Sequence, residues 1–295
     1  AGVGPFAIDE GLVPSPPGEP AGTRLVRIHN TNTGAILQAT VPVGADGAEV
    51  EGGTAIGGVP GTGALVELDF SATQGSVTGA LLPSGLRSEV LRVAGEGGDP
   101  AQPEAIEATL LDAGQPTVFV AAASLGIAGG SAGAARTAEL LQQGDAALLR
   151  RVERLRGAGA VRMGIVERWE DAERLSPYTP FVVLVEAPPP GASWDLSATC
   201  VFMQQLHKAY PVTGSVATVA AAMLPGTVPH SVAALGGFRV DGGLLRIGHP
   251  TGVMEVRGAV LDGEAPRLLK ASIDRTARRI MDGNVHVPWS VWPKQ

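Results

Sequence analysis

Two stretches far apart in the chain share one outline. Arg27-Ile28-His29-Asn30-Thr31-Asn32-Thr33-Gly34, followed by Ala35 to Val41, is echoed by Arg246-Ile247-Gly248-His249-Pro250-Thr251-Gly252, followed by Val253 to Val260. Each reads as a strand, a Thr-Gly turn and a returning strand. Upstream of each lies a small-residue helical stretch ending in Val-Pro, Gly2 to Pro14 in the first half and Ser215 to Pro229 in the second. A repeat that keeps order as well as identity asks for two supersecondary units of one kind, and a duplicated fold usually places its site between the copies.

With 295 residues, 44% hydrophobic and 17% charged, the chain can bury a large core, and its length favours two domains. Its 41 Gly and 23 Pro follow no collagen-like period, so many turns, short strands and few helices are expected. A net charge of -7 argues against a nucleic-acid-binding face and against an anionic membrane surface, because both need clustered Lys and Arg. The single cysteine, Cys200, excludes an intramolecular disulfide and fits a reducing cytoplasm. No apolar run reaches the roughly 18 residues needed to cross a bilayer, and the start has no secretion-signal pattern. The chain opens with Ala1-Gly2-Val3-Gly4-Pro5-Phe6, inside a helical pattern and without methionine, so Ala1 reads as an internal position of a longer parent.

Along the chain, Arg24 to His29 and Ile36 to Val41 form the first hairpin, and strands are expected at Ala64 to Phe70 and Ser76 to Leu82. The acidic, Gly/Pro-rich segment Ala94 to Pro100 is the linker candidate. Buried strands follow at Ile106 to Asp112 and Thr117 to Ala121, and Arg136 to Arg156 carries the longest helical pattern. Further strands are expected at Val161 to Val166, Phe181 to Glu186 and Thr199 to Leu206, with a stiff turn at Pro188 to Gly191. A small-residue helix runs from Thr213 to Met223, the second hairpin follows, and the tail from Leu268 to Val287 is read as mostly strand.

Thr213-Gly214-Ser215 opens a helix directly after the extended Ala209 to Val212, so its amides and hydroxyls would face outward at the positive end of the dipole. Such an end serves either as a plain cap or as a carboxylate-holding site. His207-Lys208 just upstream is a strand end or a carboxylate-binding and proton-moving pair. His249 and Thr251 in the second turn are turn chemistry or ligand contacts. His29, His207, His230, His249 and His286 are scattered, with no pair at a metal-ligand spacing. Gly129-Gly130-Ser131-Ala132-Gly133 matches the nucleophile-elbow pattern, but no strand runs straight into it. Arg275, Arg278 and Arg279 are read as a solvated face that Asp274 and Asp282 neutralise.

The segments Phe6 to Val13, Val59-Pro60-Gly61-Thr62-Gly63-Ala64, Leu81-Leu82-Pro83-Ser84-Gly85, Leu111 to Pro116, Pro211-Val212-Thr213-Gly214-Ser215, Leu245 to Gly252 and Arg275-Thr276-Ala277-Arg278-Arg279 together make the chain resemble, over nearly its whole length, the 2-methylaconitate cis-trans isomerase and 4-oxalomesaconate tautomerase family. The resemblance implies an α+β, diaminopimelate epimerase-like fold: two pseudo-symmetric domains, each a curled, mainly antiparallel sheet around a central helix, with the site between the two helix N-termini. On that frame, residues 1–97 with a returning tail 274–295 make the first domain, and residues 98–273 make the second. The implied activity is a cofactor-independent allylic proton shift or cis-trans isomerisation of an unsaturated tricarboxylate. Gln115, Lys208, Thr213, Gly214, Ser215, His249 and Thr251 are the expected substrate-binding residues. The family's catalytic Lys and Cys belong ahead of the stretch matched by Gly2 to Val13, so they fall upstream of Ala1, and Cys200 does not replace the thiol. Ser215 stands where two-thiol epimerases have a second Cys, Gln115 where Asn is usual, and Lys208 where Arg is usual. The alternative expectation is a catalytically inactive carboxylate-binding fragment, with negligible turnover by residues 1–295 alone. No cofactor, metal, nucleic acid or membrane partner is expected, and a homodimer is the assembly this reading allows.

Overall fold

The computed structural model describes residues 1–14, 22–31, 33–57, 59–95, 103–127, 134–142 and 145–291. The strands are β1 (Gly22–His29), β2 (Ile36–Gly44), β3 (Gly47–Ala48), β4 (Thr54–Ala55), β5 (Thr62–Gly63), β6 (Val66–Asp69), β7 (Glu89–Val93), β8 (Glu104–Ala113), β9 (Gln115–Ala121), β10 (Phe181–Glu186), β11 (Leu196–Phe202), β12 (Gln205–Leu206), β13 (Leu244–His249), β14 (Gly252–Leu261) and β15 (Arg267–Arg275). The helices are α1 (Val3–Asp9), α2 (Ala134–Gln142), α3 (Ala146–Arg162), α4 (Ala172–Leu175), α5 (Val212–Ala222) and α6 (Val228–Leu235). Among the described residues no helix is long and apolar enough to cross a membrane.

One sheet runs through the molecule in the order β1-β2-β6-β15-β14-β13-β11-β10-β9-β8-β7, with β3 on β2 and β12 on β11. Pairing is antiparallel except for β9 with β10 and β11 with β13. The two halves of the chain join where β15 pairs with β6, Ser272 opposite Asp69 and Arg275 opposite Val66. The pair β4–β5 forms a separate two-stranded ribbon.

Helix α5 is apolar on every side, and such a helix must be surrounded. From Gly214 to Ala222 all of it is buried. Val216 and Val219 pack with Leu111, Phe119, Val183, Leu245, Ile247 and Ile273 from the curled sheet, each buried valine contributing about 1.5–3 kcal/mol. Strands β9 and β10 are covered on both faces. Phe119 and Val183 face the α5 side, whereas Val118, Val120, Val182 and Leu184 pack with Val152 and Leu155 of α3, as period-two alternation requires. On the other limb of the sheet, Ala7 and Ile8 of α1 pack in the same core as Val26, Ala39 and Val41 of β1 and β2.

Both hairpins form as their turn chemistry implies, His29 opposite Ile36 and His249 opposite Gly252. Other segments differ. Ser76 to Leu82 is a turn, because the carboxylate of Asp112 accepts the backbone N–H groups of Val77 (3.0 Å) and Thr78 (2.7 Å) and the Thr78 hydroxyl (2.9 Å). Those donors are no longer available to a ladder. The long helical pattern is two helices: α3 starts afresh where Asp145 accepts from Ala147 N and Leu148 N. It then continues through Val161 to Arg162, where a strand was expected, and the chain closes the helix with Ile165 N donating to Ala160 O (2.9 Å). Thr199 to Leu206 is the end of β11 plus a tight return, with Met203 and Gln204 at positive φ. The tail is strand to Arg275 and has no regular structure from 276 to 287. Residues 96–100 of the linker and Gly129 to Gly133 lie outside the described residues.

Candidate active site

Alternation along β13 sends Leu245 and Ile247 into the core against α5, and His249 shares their face at the point where the core runs out. Tyr210, on the lead-in to α5, stacks on the His249 ring with centroids 6.4 Å apart. Burial first, then the neighbouring His207 and Arg275, hold His249 below its ordinary value, so the imidazole is neutral near pH 7. The Thr251 amide donates to Nδ1 at 3.4 Å, which leaves the proton of the neutral ring on Nε2.

A cleft of about 710 Å³ opens here. It is bounded by Arg246, His249, Thr251, Met254 and Glu255 of the second hairpin, by Ala209 before α5, by Asp274 and Arg275 at the end of β15, and by Thr54 to Gly57 at the ribbon. Ala1, beside the start of α1, lies close to Arg275. The first turn of α5 has no side-chain cap, and its leading N–H groups have no intrahelical partner.

Arg275 is the main correction to the sequence reading. It is not part of a solvated face neutralised by Asp274. It is half-buried, its Nη1 donates to the backbone carbonyl of Asp274 (3.0 Å), and its Nη2 meets Met254 Sδ at 3.7 Å. Residues 274 and 275 point to opposite faces of β15, and the Asp274 carboxylate is taken by Arg257 in a two-pronged pair of 2.7 and 3.0 Å. Burial lowers the pKa of Arg275 from its ordinary value, yet a guanidinium stays charged. The cleft therefore holds a cation with no carboxylate partner among the described residues.

The other expected residues are distributed as follows. His249 and Thr251 share the cleft wall. Lys208 lies next door, in a hollow of about 200 Å³ lined also by Gln142, Pro250 and Thr251. Ser215 does not turn its hydroxyl outward: it is fully buried and donates to Val212 O at 2.7 Å. At this helix end Thr213 is part-buried, Gly214 and Ser215 are buried, and none of the three lines the cleft. Gly114, with φ +70°, lets the β8–β9 turn press on α5, where a Cβ would meet Thr213 O at 2.9 Å. That brings Gln115 to the helix start, with its Nε2 already donating to Thr179 Oγ1 (2.6 Å) and Tyr178 O (3.0 Å). Among the described residues no three His, Cys, Asp or Glu gather as a metal site. A hollow of about 850 Å³ between β8 and α3 is the larger cavity, but its Arg151 is engaged by Glu104 and by Leu125 O.

A neutral imidazole beside an uncompensated guanidinium suits an anion with a transferable proton. Residues 1–288 match the family described as PrpF protein. The chain belongs to the PrpF family. It is 39% identical over 298 residues to a 3-methylitaconate isomerase of Eubacterium barkeri, an alignment covering 97% of this chain and 72% of that protein. It is 35% identical to a (4E)-oxalomesaconate Delta-isomerase of Novosphingobium sp., over 97% of this chain and 71% of that one. With a 2-methyl-aconitate isomerase of Shewanella oneidensis it shares 33% identity, covering 98% and 72%. A crystal structure of methylitaconate-delta-isomerase superimposes with a TM-score of 0.77 at 37% identity, covering 96% of this chain and 70% of that chain. The α+β fold is thus the one found in the PrpF family, whose named relatives are isomerases.

Proposed function

We propose that the cleft binds an unsaturated di- or tricarboxylate and that the protein isomerises it by moving an allylic proton, without a cofactor. The observation that carries this reading is Arg275, held beside His249 with no carboxylate of its own among the described residues. A carboxylate next to a double bond acidifies the neighbouring C–H. Loss of that proton gives a dienolate, and return of a proton at the far carbon moves the double bond. Arg275 would take a carboxylate through its planar fork and carry the developing charge. The Nε2–H of His249, the Thr251 hydroxyl, Lys208 and the leading amides of Thr213 and Gly214 would orient the remainder. The names of the relatives support this substrate class.

We also infer that the two hairpins descend from a doubling, with residues 1–97 and the tail 274–295 forming one domain and residues 98–273 the other. On that division the cleft takes Thr54 to Gly57 and Arg275 from the first domain and Ala209, His249 and Thr251 from the second.

A second reading, carboxylate binding without turnover, draws on Cys200. The thiol is fully buried in β11 and pushed far above its ordinary value by burial, so it is no acid or base for this cleft. Ultraviolet assays with methylitaconate, methylaconitate and oxalomesaconate, run beside calorimetric binding of each, separate the two. Turnover that falls at least tenfold in Arg275→Gln supports the isomerase, and binding without turnover supports the second reading. Absence of both removes the cleft from consideration.

A further inference from the structure

The formal charges around the cleft cancel: two arginines, Arg246 and Arg275, face two carboxylates, Glu255 and Asp274. A neutral cleft would be a poor trap for a polyanion. Arg246 is occupied by its cross-strand partner Glu255 at 3.2 Å, with Asp195 4.0 Å away. Asp274 lies on the face of β15 opposite Arg275, but it still lines the cleft and its charge still reaches Arg275. That charge is neutralised. Arg257 on β14 lies opposite Ser272 of β15, which makes Asp274 its diagonal neighbour on the same face. Both guanidinium Nη atoms of Arg257 hold the two oxygens of Asp274. Glu67, the residue opposite Asp274 on β6, is matched by Lys270 at 3.6 Å. Arg257 itself is not part of the cleft wall.

We propose that Arg257 is a positioning residue for carboxylate capture: by neutralising Asp274 it takes one negative charge away from the cleft wall beside Arg275. This rests on the cleft being the carboxylate site proposed above. A cation outside the wall thus sets the affinity of the cation inside it, and the substrate class that gains most is the one with the highest negative charge, tricarboxylates over dicarboxylates.

The test is calorimetric binding of trans-aconitate, a stable unsaturated tricarboxylate, and of the dicarboxylate itaconate, to the unmodified protein and three variants. Arg257→Gln is expected to weaken trans-aconitate about fivefold, the size of one partly screened charge, and itaconate by less. Adding Asp274→Asn to Arg257→Gln should restore the affinity, because the liberated negative charge is then gone, whereas a merely structural loss would persist. Arg257→Lys should stay within about twofold of the unmodified protein. Unchanged binding in Arg257→Gln, or a double variant as weak as the single one, would overturn this role while leaving the carboxylate site standing. Failure of the unmodified protein to bind either acid would remove both.

Discussion

The ring of Tyr210 covers the imidazole of His249, centroids 6.4 Å apart and planes 22° from parallel. Its hydroxyl is 2.7 Å from Thr218 Oγ1, and Thr218 in turn donates to Gly214 O at 2.8 Å. The cover over the histidine is therefore fastened to the first turns of α5, and the helix start and the imidazole keep a fixed relation. Burial, the largest influence, and the charges of His207 and Arg275 all favour the neutral ring. In an NMR titration of the histidine C2 protons, the His249 signal should have its midpoint below the ordinary 6.5. The unfolded chain takes up this proton first as pH falls. The contribution to stability is thus fully present above about pH 6.5 and declines below it. His249→Gln should flatten that part of the stability profile; a His249 midpoint at or above 6.5 would contradict the buried, neutral assignment.

Glu186 closes β10 with its carboxyl buried, one oxygen accepting the Thr137 hydroxyl at 2.6 Å and the other without a partner. Burial outweighs that hydrogen bond and raises its pKa above the ordinary 4.5. Below pH 4.5 the group is protonated folded or unfolded, and its contribution is intact. As pH rises through the folded value, a buried charge forms that the unfolded chain accommodates in water, so stability is lost. Glu186→Gln keeps an acceptor for Thr137 and cannot ionise. Urea denaturation should find it more stable than the parent at pH 8, with the gap closing in acid.

Arg156 is 3% exposed, an unusual place for a guanidinium. It forms a forked pair with Glu153 (2.8 and 2.6 Å) and donates to Ser176 O (2.7 Å) and Thr179 O (3.1 Å). Those last two acceptors tie α3 to the loop whose Thr179 hydroxyl receives the Gln115 amide. Arg156→Ala strands the Glu153 carboxylate, while Ser176 O and Thr179 O keep only their local donors, the Thr179 amide and the Ser176 hydroxyl, and a loss of about 3 kcal/mol is expected in chemical denaturation. Arg156→Lys should recover only part of it, since an ammonium cannot reproduce the fork. A loss under 1 kcal/mol for the alanine variant would mean the network is dispensable.

Part of the candidate cleft was legible because it depends on local chemistry. The Pro250-Thr251-Gly252 turn and the small-residue helix after Pro211 declare themselves in neighbouring residues, and His249, Thr251 and Lys208 came with them. Arg275 was misread because its sequence neighbour Asp274 looks like its counter-ion. The residue that takes Asp274 is Arg257, 17 positions away, and only the β14–β15 pairing brings it there. The same limit explains Ser76 to Leu82, whose apolar residues suggest a strand until Asp112, 34 positions beyond Thr78, claims its backbone donors. The break that separates α2 from α3 was local by contrast: Asp145 is a strong N-cap type, and its signal was overridden by the apolar spacing around it.

Gly248, next in sequence to the cleft-lining His249, gives a steric test of the packing behind the cleft wall. A Cβ there would fall 2.4 Å from Trp194 Nε1 and 2.5 Å from Cδ1. The indole cannot easily retreat, since Nε1 donates to Ser197 Oγ at 2.9 Å and Ser197 is itself the parallel-strand partner of Gly248. Ser193, next in sequence to the indole, lines the cleft, so a displaced indole is expected to disturb that part of the wall. Gly248→Ala should cost about 2–3 kcal/mol in urea denaturation, shift the Trp194 emission and weaken trans-aconitate binding. Adding Trp194→Ala removes the clashing ring and should return part of the affinity, even though Ser197 loses its donor. If Gly248→Ala is neutral in stability and emission, the close packing of Trp194 against β13 is wrong, and with it the shape assigned to that wall.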